Sequence, residues 1–535
     1  MKSKIINTIS NALKSMDYPL VNISIEKPKN KENGDISSNI AFLLSKELKQ
    51  NPLDIANKLK KILSESELFQ SVDVANPGFI NFKFNVKAIV QNIDAIIKLD
   101  DNYGKNNSGK NKKALVEFVS ANPTGPLTVG HGRGAIIGDT ISNILLWNGY
   151  DVHREYYYNN AGRQMRVLGE SLKARCYEQL NQKYTFPEDG YKGEYLIDIA
   201  KNLNTKLGKD LLDKDDPFYI KNAEKYIFKE IKSTLEKLGL KFDSYFNEHT
   251  LYENKDIYNV IDQLKDKKLI YEKDGATWFK ATSIGLNADR VLIKKTGEPT
   301  YRLPDIAYHA TKFDRGYNVC IDVFGADHMD AYPDVLAALS QLGYNEENVK
   351  VLIHQFVSIV KNGETTKMST RQGNFITLNQ LINDIGSDVV RYFFIMRHMN
   401  SHLNFDLELA KQKSENNPVY YIQYAHARIC TILNKENNNT KADLNQLNHN
   451  DEIQLIHKLI EFEELIIKLK EKLEPQILAN YLFDLSTLFH KYYAHHKIIS
   501  AKKELTKARI EFIKAIQIVI RNGLDILGIS HPERM

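Results

Sequence analysis

The stretch Ala114–Gly149, ALVEFVSANPTGPLTVGHGRGAIIGDTISNILLWNG, decides how the chain is read. Ala114-Leu115-Val116-Glu117-Phe118-Val119 is an apolar run of strand length with one carboxylate inside it. Pro123, Gly125 and Pro126 then break the backbone. Ile136, Ile137, Ile141, Ile144 and Leu145 follow at helical spacing, and Gly149 supplies a stop. Strand, tight loop and long helix in this order form the unit of an α/β fold. In such folds anions bind at the helix start, where unpaired backbone N–H groups and the helix dipole face them. Gly130, His131 and Gly132 fall at that place. Gly130 removes a side chain where a purine or ribose would press on the backbone, and His131 can donate to a phosphate. No Gly-Lys-Ser/Thr follows, so this is not a P-loop, and the glycine spacing is not that of a dinucleotide fold. This stretch alone is compatible both with nucleotide binding and with a plain strand-to-helix turn.

A second stretch, Lys367-Met368-Ser369-Thr370-Arg371-Gln372-Gly373-Asn374, is a short basic loop. The pair TVGH and KMSTR, in this order, resembles the HIGH and KMSKS pair of class I aminoacyl-tRNA synthetases. The words VEFVSANPTGPLTVGHGRGAIIGD, YYYNNAGRQM, YRLPDIAYH, GADHMDAYPDV and the closing NGLDILGISHPERM are similar to those of arginyl-tRNA synthetases, from the first segment to the last residue. The chain departs from the pattern at Thr128, in place of the first histidine of HIGH, and at Thr370, in place of the second lysine of KMSKS.

The resemblance implies a Rossmann-like class I catalytic domain with a parallel sheet, a small N-terminal α+β domain and a C-terminal all-α anticodon-binding bundle. It implies a reaction in which the arginine carboxylate attacks the α-phosphorus of ATP, carried with Mg2+, and expels pyrophosphate. The adenylate then passes to the terminal ribose of tRNA-Arg. Such chemistry asks mostly for alignment and charge stabilisation. His131, Lys367 and Ser369 are the expected catalytic donors. Thr128, Gly130, His131, Lys367, Met368 and Ser369 are the expected ATP site, with Arg371 partly replacing the charge lost at Thr370. Glu117, Ser120, Asn122, Tyr301, Asp305 and His328 are expected to hold arginine. The resemblance further implies that tRNA must bind before arginine is activated.

The residues add their own constraints. A carboxylate in an apolar strand is costly unless it is paired. Glu117 therefore has either an internal Arg or Lys as partner, or a cation that arrives as the substrate's guanidinium. Asp305 suits the second role, and Tyr301 can lie flat against a guanidinium plane. A site built for the five donors of a guanidinium rejects smaller amino acids without an editing step. A cysteinyl enzyme would bring zinc ligands, and a glutamyl enzyme would want a cationic pocket. A nucleotidyltransferase outside this class has little use for a long helical tail, and an inactive RNA-binding paralogue should have lost His131 or Lys367.

With 535 residues and a net charge of +5, the chain has room for about three domains and does not oppose a polyanionic partner. Cys176, Cys320 and Cys430 lie far apart with no CxxC. That argues for a reducing, cytoplasmic setting and against structural zinc. No apolar run is long enough to span a membrane, and a monomer is expected.

Residues 1–100 read as the N-terminal unit that the resemblance assigns to tRNA contact, with a strand at Phe79–Phe84. Asp101–Lys113 reads as a linker. The catalytic unit is expected over 112–400, with an insertion at about 165–280 and a turn at Tyr301–Asp305 broken by Pro304. From 414 to 535 the pattern is a helical bundle, its last helix running from Leu505 to Asn522 and stopping at Gly523. Basic residues interleave with aromatics in HKYYAHHKIISAKKELTKAR. Tyr492, Tyr493, Lys497, Lys502 and Lys503 are the residues expected to meet tRNA, by stacking on bases or pairing with phosphates.

Overall fold

The computed structural model describes residues 1–28, 30–326, 329–365, 376–435 and 442–535. Its centre is a five-stranded sheet in the spatial order Val349–His354, Val319–Gly325, Lys113–Glu117, Asp151–Tyr158 and Ser244–Asn247, every neighbour parallel. Parallel strands need crossovers that cover both faces, which is why Leu115, Val116, Cys320 and Ile321 are all buried. The helix Val129–Trp147 follows the central strand directly and is buried along most of its length. We call it the signature helix.

The expected strand-loop-helix is thus present, but 165–280 is not one insertion. Helices Gly162–Gln179, Glu194–Leu207 and Asp216–Lys237 form the crossover to Ser244–Asn247, which is the fifth strand of the main sheet. That strand is four residues long and only half-buried, so its sequence carries little apolar signal. An antiparallel three-stranded sheet, Ile270–Lys273, Ala276–Phe279 and Arg290–Ile293, lies beyond it. Pro304 does not break a turn. It sits in the first turn of the helix Arg302–Asp314, where its missing N–H has no helical acceptor to lose.

The N-terminal unit is an antiparallel four-stranded sheet covered by helices. The stretch read as a linker is a packed strap. Tyr103 donates its hydroxyl to Leu459 O at 3.1 Å, Asn522 donates to the Asp100 and Tyr103 carbonyls, and Gly109 N bonds Asn148 O at 2.7 Å. A Cβ at Gly104 would lie 2.6 Å from the Phe462 ring and one at Gly109 1.9 Å from Tyr150. Close packing, not flexibility, places glycine here. The C-terminal bundle comprises Pro418–Leu433, Asn450–Lys472, Gln476–His495 and Lys503–Leu527. The last helix runs through Gly523, whose Cβ would strike Leu482 at 2.5 Å, and stops at Gly528, where φ is +66°.

Candidate active site

Asp322, Glu117 and Glu155 are register partners on three adjacent strands, so their carboxylates form one row on one face of the sheet. Bare, such a row would repel itself. The helix Arg302–Asp314 lays cations across it. Lys312 Nζ donates to Asp322 Oδ1 at 2.6 Å and to Glu117 Oε2 at 2.7 Å. Arg315, just past the helix end, grips Glu155 through two N–H groups at 2.7 and 2.8 Å. Burial works against the charge on Lys312, but Asp322 and Glu117 outweigh it and hold the ammonium protonated. Burial likewise works against ionised Asp322, and Lys312 followed by His309 hold it well below the usual carboxylate range. His309 Nε2 lies 2.9 Å from Asp322 Oδ2, and Ser120 donates to Glu117 Oε1 at 2.9 Å. Glu117, Asp322 and His309 have the spacing of a metal-ligand set, but the Lys312 ammonium fills it.

Glu117 therefore has its cation inside the chain. Of the two partners left open for Glu117, the internal lysine is the one present, and Glu117 still lines the cleft. Asp305 differs. It lies one turn before His309 on the same helix, faces the cleft, and has no ion-pair partner among the described residues. Burial pushes its carboxyl up to about 7; His309 opposes this, while Glu117 and Glu248 add to it. Glu248, not found from sequence, also lines the cleft. It accepts from Tyr157 OH and Asn159 Nδ2, each at 2.7 Å, and burial raises its pKa against those bonds. Its one sequence signal was a carboxylate just past a short strand, in SYFNEH.

The cleft, of about 810 Å³, opens at the C-terminal ends of the strands, where ligands bind in open parallel sheets. Glu117, Ser120, Asn122, Thr128, Gly130, His131, Tyr301 and Asp305 all line it. Val119 and Ser120, which carry the chain off the central strand, have φ of +68° and +44°. For a β-branched residue this is strain, of the kind that accumulates at functional sites. At the start of the signature helix, Thr128 N donates to His131 Nδ1 at 3.1 Å, which puts the ring proton on Nε2. A Cβ on Gly130 would meet no protein atom closer than 3.6 Å, so the fold itself does not demand glycine there. Asn122 accepts from Asn159 N at 2.9 Å. Tyr301 is 76% exposed at the cleft mouth. Lys367, Met368, Ser369 and His328 lie outside the described residues.

In the bundle one expectation is overturned. Tyr492 is buried, donates to Glu452 Oε1 at 2.9 Å and stacks on His496, so no base can reach its face. Its period matches the apolar face of its helix, which the basic residues around it obscured. Tyr493 is half-buried beneath the Arg428 guanidinium, while Lys497, Lys502 and Lys503 are exposed.

A doubly wound parallel sheet, a signature helix starting at Thr128–His131 and an acidic cleft beside it define a class I aminoacyl-tRNA synthetase. Family comparison agrees along the chain. Residues 3–84 match the arginyl-tRNA synthetase N-terminal domain, 92–391 the catalytic domain of class I (R) tRNA synthetases, and 422–535 the DALR anticodon-binding domain. The chain is 46% identical to an arginine–tRNA ligase of Salinibacter ruber, covering 96% of both proteins, and 46% identical to one of Pelodictyon phaeoclathratiforme over the full length of both. The arginyl-tRNA synthetase structure of Thermus thermophilus shares the fold with a TM-score of 0.78, 21% identity and full coverage of both chains. The chain belongs to the arginine–tRNA ligase family.

Proposed function

We propose that the cleft is where L-arginine and ATP meet. The chain is an arginine–tRNA ligase: it activates L-arginine with ATP and transfers the arginyl group to the 3′-terminal adenosine of tRNA-Arg, releasing AMP and pyrophosphate. The observation that carries the site assignment is Asp305, a cleft carboxylate with no cation of its own among the described residues. Arginine's guanidinium supplies that cation with planar, paired donors. Tyr301 covers its plane from the mouth, and Glu248 adds a second acceptor. Glu117, already neutralised by Lys312, contributes shape and an oriented Ser120 more than charge. Asn122 and His328 take the α-amino group.

ATP enters as its magnesium complex over the start of the signature helix. Gly130 leaves space for the nucleotide, and His131 donates from Nε2 to a phosphate oxygen as charge builds there. Lys367 and Ser369 supply the remaining donors, and Met368 and Thr128 complete the ATP site. The carboxylate oxygen of arginine forms a bond to the α-phosphorus while the bond to pyrophosphate breaks. The terminal ribose hydroxyl of tRNA then attacks the arginyl carbonyl and AMP leaves. No zinc takes part in the reaction. Residues 1–100 and 414–535 contact tRNA, the latter through Tyr493, Lys497, Lys502 and Lys503. The working protein is a cytoplasmic monomer; none of its described helices is long and apolar enough to cross a membrane. The test is pyrophosphate exchange over the twenty amino acids, with and without tRNA. Exchange confined to arginine supports the reading, and exchange with lysine or with no amino acid overturns it.

A further inference from the structure

Arg133 follows His131 by two residues on the signature helix and is fully buried. Among the described residues three Lys or Arg side chains are buried to that degree: Arg133, Lys312 and Arg391. Lys312 is paired with Glu117 and Asp322, and Arg391 with Asp139. Arg133 has no ion-pair partner among the described residues. Its guanidinium goes to main-chain carbonyls instead. Nη1 donates to Gln355 O at 2.7 Å and to Ser401 O at 2.8 Å, and Nη2 donates to His398 O at 3.1 Å. Its buried Nε has no hydrogen-bond partner among the described residues. Burial pushes the pKa down to about 10, which leaves the group charged at neutral pH.

A buried charge without a counter-charge costs stability, so packing alone does not account for Arg133. The carbonyls it holds point to another reason. Gln355 joins the strands Val349–His354 and Val357–Lys361, and its two neighbours, His354 and Phe356, both line the cleft. The same wall is tied to the chain that supplies the other carbonyls, since Gln355 N bonds Met399 O at 2.9 Å and Leu403 N bonds Phe356 O at 3.1 Å. Arg133 is therefore the strut between the signature helix and this wall. Phe356 is 59% exposed. An aromatic ring left open in a cleft offers its face to a planar base.

We propose that Arg133 is a positioning residue for ATP. It seats the wall that carries His354 and Phe356 against the start of the signature helix. Phe356 then meets the base while Gly130 and His131 meet the ribose and phosphates. The unpaired charge of Arg133 adds to the helix dipole and keeps this part of the cleft positive. The part that holds Asp305 and Glu248 is negative, so the charge of each substrate selects its place. This inference rests on the placement of ATP over the start of the signature helix.

Pyrophosphate exchange by the full chain with tRNA-Arg present tests this in Arg133→Lys, Arg133→Met and Phe356→Ala, beside Gly130→Ala. Lysine keeps the charge but cannot span three carbonyls, and methionine keeps neither charge nor donors. The Michaelis constant for ATP is expected to rise about tenfold in Arg133→Lys and further in Arg133→Met, and kcat to fall, with the constant for arginine unchanged. A Michaelis constant does not depend on the folded fraction of the sample, so lost stability does not mask the result. Phe356 is exposed, and Phe356→Ala is expected to raise the same constant while leaving the unfolding midpoint unchanged. A constant for ATP that stays level in both Arg133 variants while the midpoint falls makes Arg133 structural and overturns the proposal. A parallel rise for arginine overturns it as well. In either event Gly130→Ala separates the two readings: a raised constant for ATP there leaves the nucleotide's placement standing, and a level one removes that placement together with the proposal.

Discussion

Asp305 and Glu117 were both legible in the sequence as carboxylates in need of a cation, but their environments are opposite. Which of them is balanced depends on Lys312, which lies at i+7 from Asp305 and completes the i, i+4, i+7 stripe of Asp305, His309 and Lys312. That stripe was visible; the row of carboxylates it covers, Asp322–Glu117–Glu155, was not, because it exists only through register. Asp305→Asn is expected to cost arginine binding about 1.5–3 kcal/mol, roughly 10- to 100-fold in its Michaelis constant, with that for ATP unchanged. Arginine affinity in the unaltered enzyme should also rise as pH increases through about 7, because the ionised form is the one that binds; the Asn variant should lose that rise. Stability runs the other way. The folded protein holds a proton on Asp305 between its ordinary 3.8 and about 7 that the unfolded chain has lost, so this group makes the unliganded enzyme less stable as pH increases across that window. An Asp305→Asn variant with a flatter stability profile would bear this out, and one with the same profile would reassign the titration. Lys312→Met should cost about 3–5 kcal/mol in a denaturant titration, since it strands two buried carboxylates.

At the scale of the element, the signature helix carries four glycines with two different jobs. A Cβ at Gly132 would strike Leu378 at 2.6 Å, one at Gly134 would strike His354 at 2.8 Å, and one at Gly138 would strike Phe118 at 2.3 Å. These three let the helix press against its neighbours. Gly130 faces the cleft, and a Cβ there would meet only Thr128 Oγ1, at an unstrained 3.6 Å. Gly138→Ala is therefore expected to destabilise by about 1–3 kcal/mol through overpacking. Gly130→Ala should leave the melting temperature level or higher, since alanine favours helix, yet raise the Michaelis constant for ATP about tenfold or more. Equal losses of stability in the two variants would remove the distinction. The sequence showed where this helix begins and ends, because proline, glycine and apolar spacing are local signals. It singled out Gly130 but did not show what Gly132, Gly134 and Gly138 are for, since each of their clash partners lies on another element. The same holds for the short strand Ser244–Asn247, hidden inside what read as an insertion.

At the scale of the whole molecule, the signature helix is tied to the far end of the chain. Arg391 Nη2 meets Asp139 of that helix at 2.5 Å, while Nε donates to Leu527 O at 2.8 Å and Nη1 to Leu238 O at 2.9 Å. Asn143, one turn further on, donates to Ile526 O at 3.0 Å. The carbonyls of the last helix thus bear on the element that carries His131 in its first turn. Replacing the fork by a point charge should loosen this link while keeping its sign. Arg391→Lys is expected to lower the ratio of pyrophosphate exchange with tRNA to exchange without it, measured beside the unfolding midpoint. A ratio that holds while the midpoint falls would make the link purely structural. Deleting residues 414–535 would not test this link cleanly, because the bundle helices cover the signature helix and the strap. That strap, 100–113, has a consequence for recombination among relatives. Its glycines are shaped to Phe462 and Tyr150, which belong to two different parts of the protein. A crossover placed there, at what looks like a natural joint between cassettes, would separate residues that must be inherited together. Viable chimeras should keep the strap, the bundle and the signature helix from one parent, and exchange only the chain that precedes them.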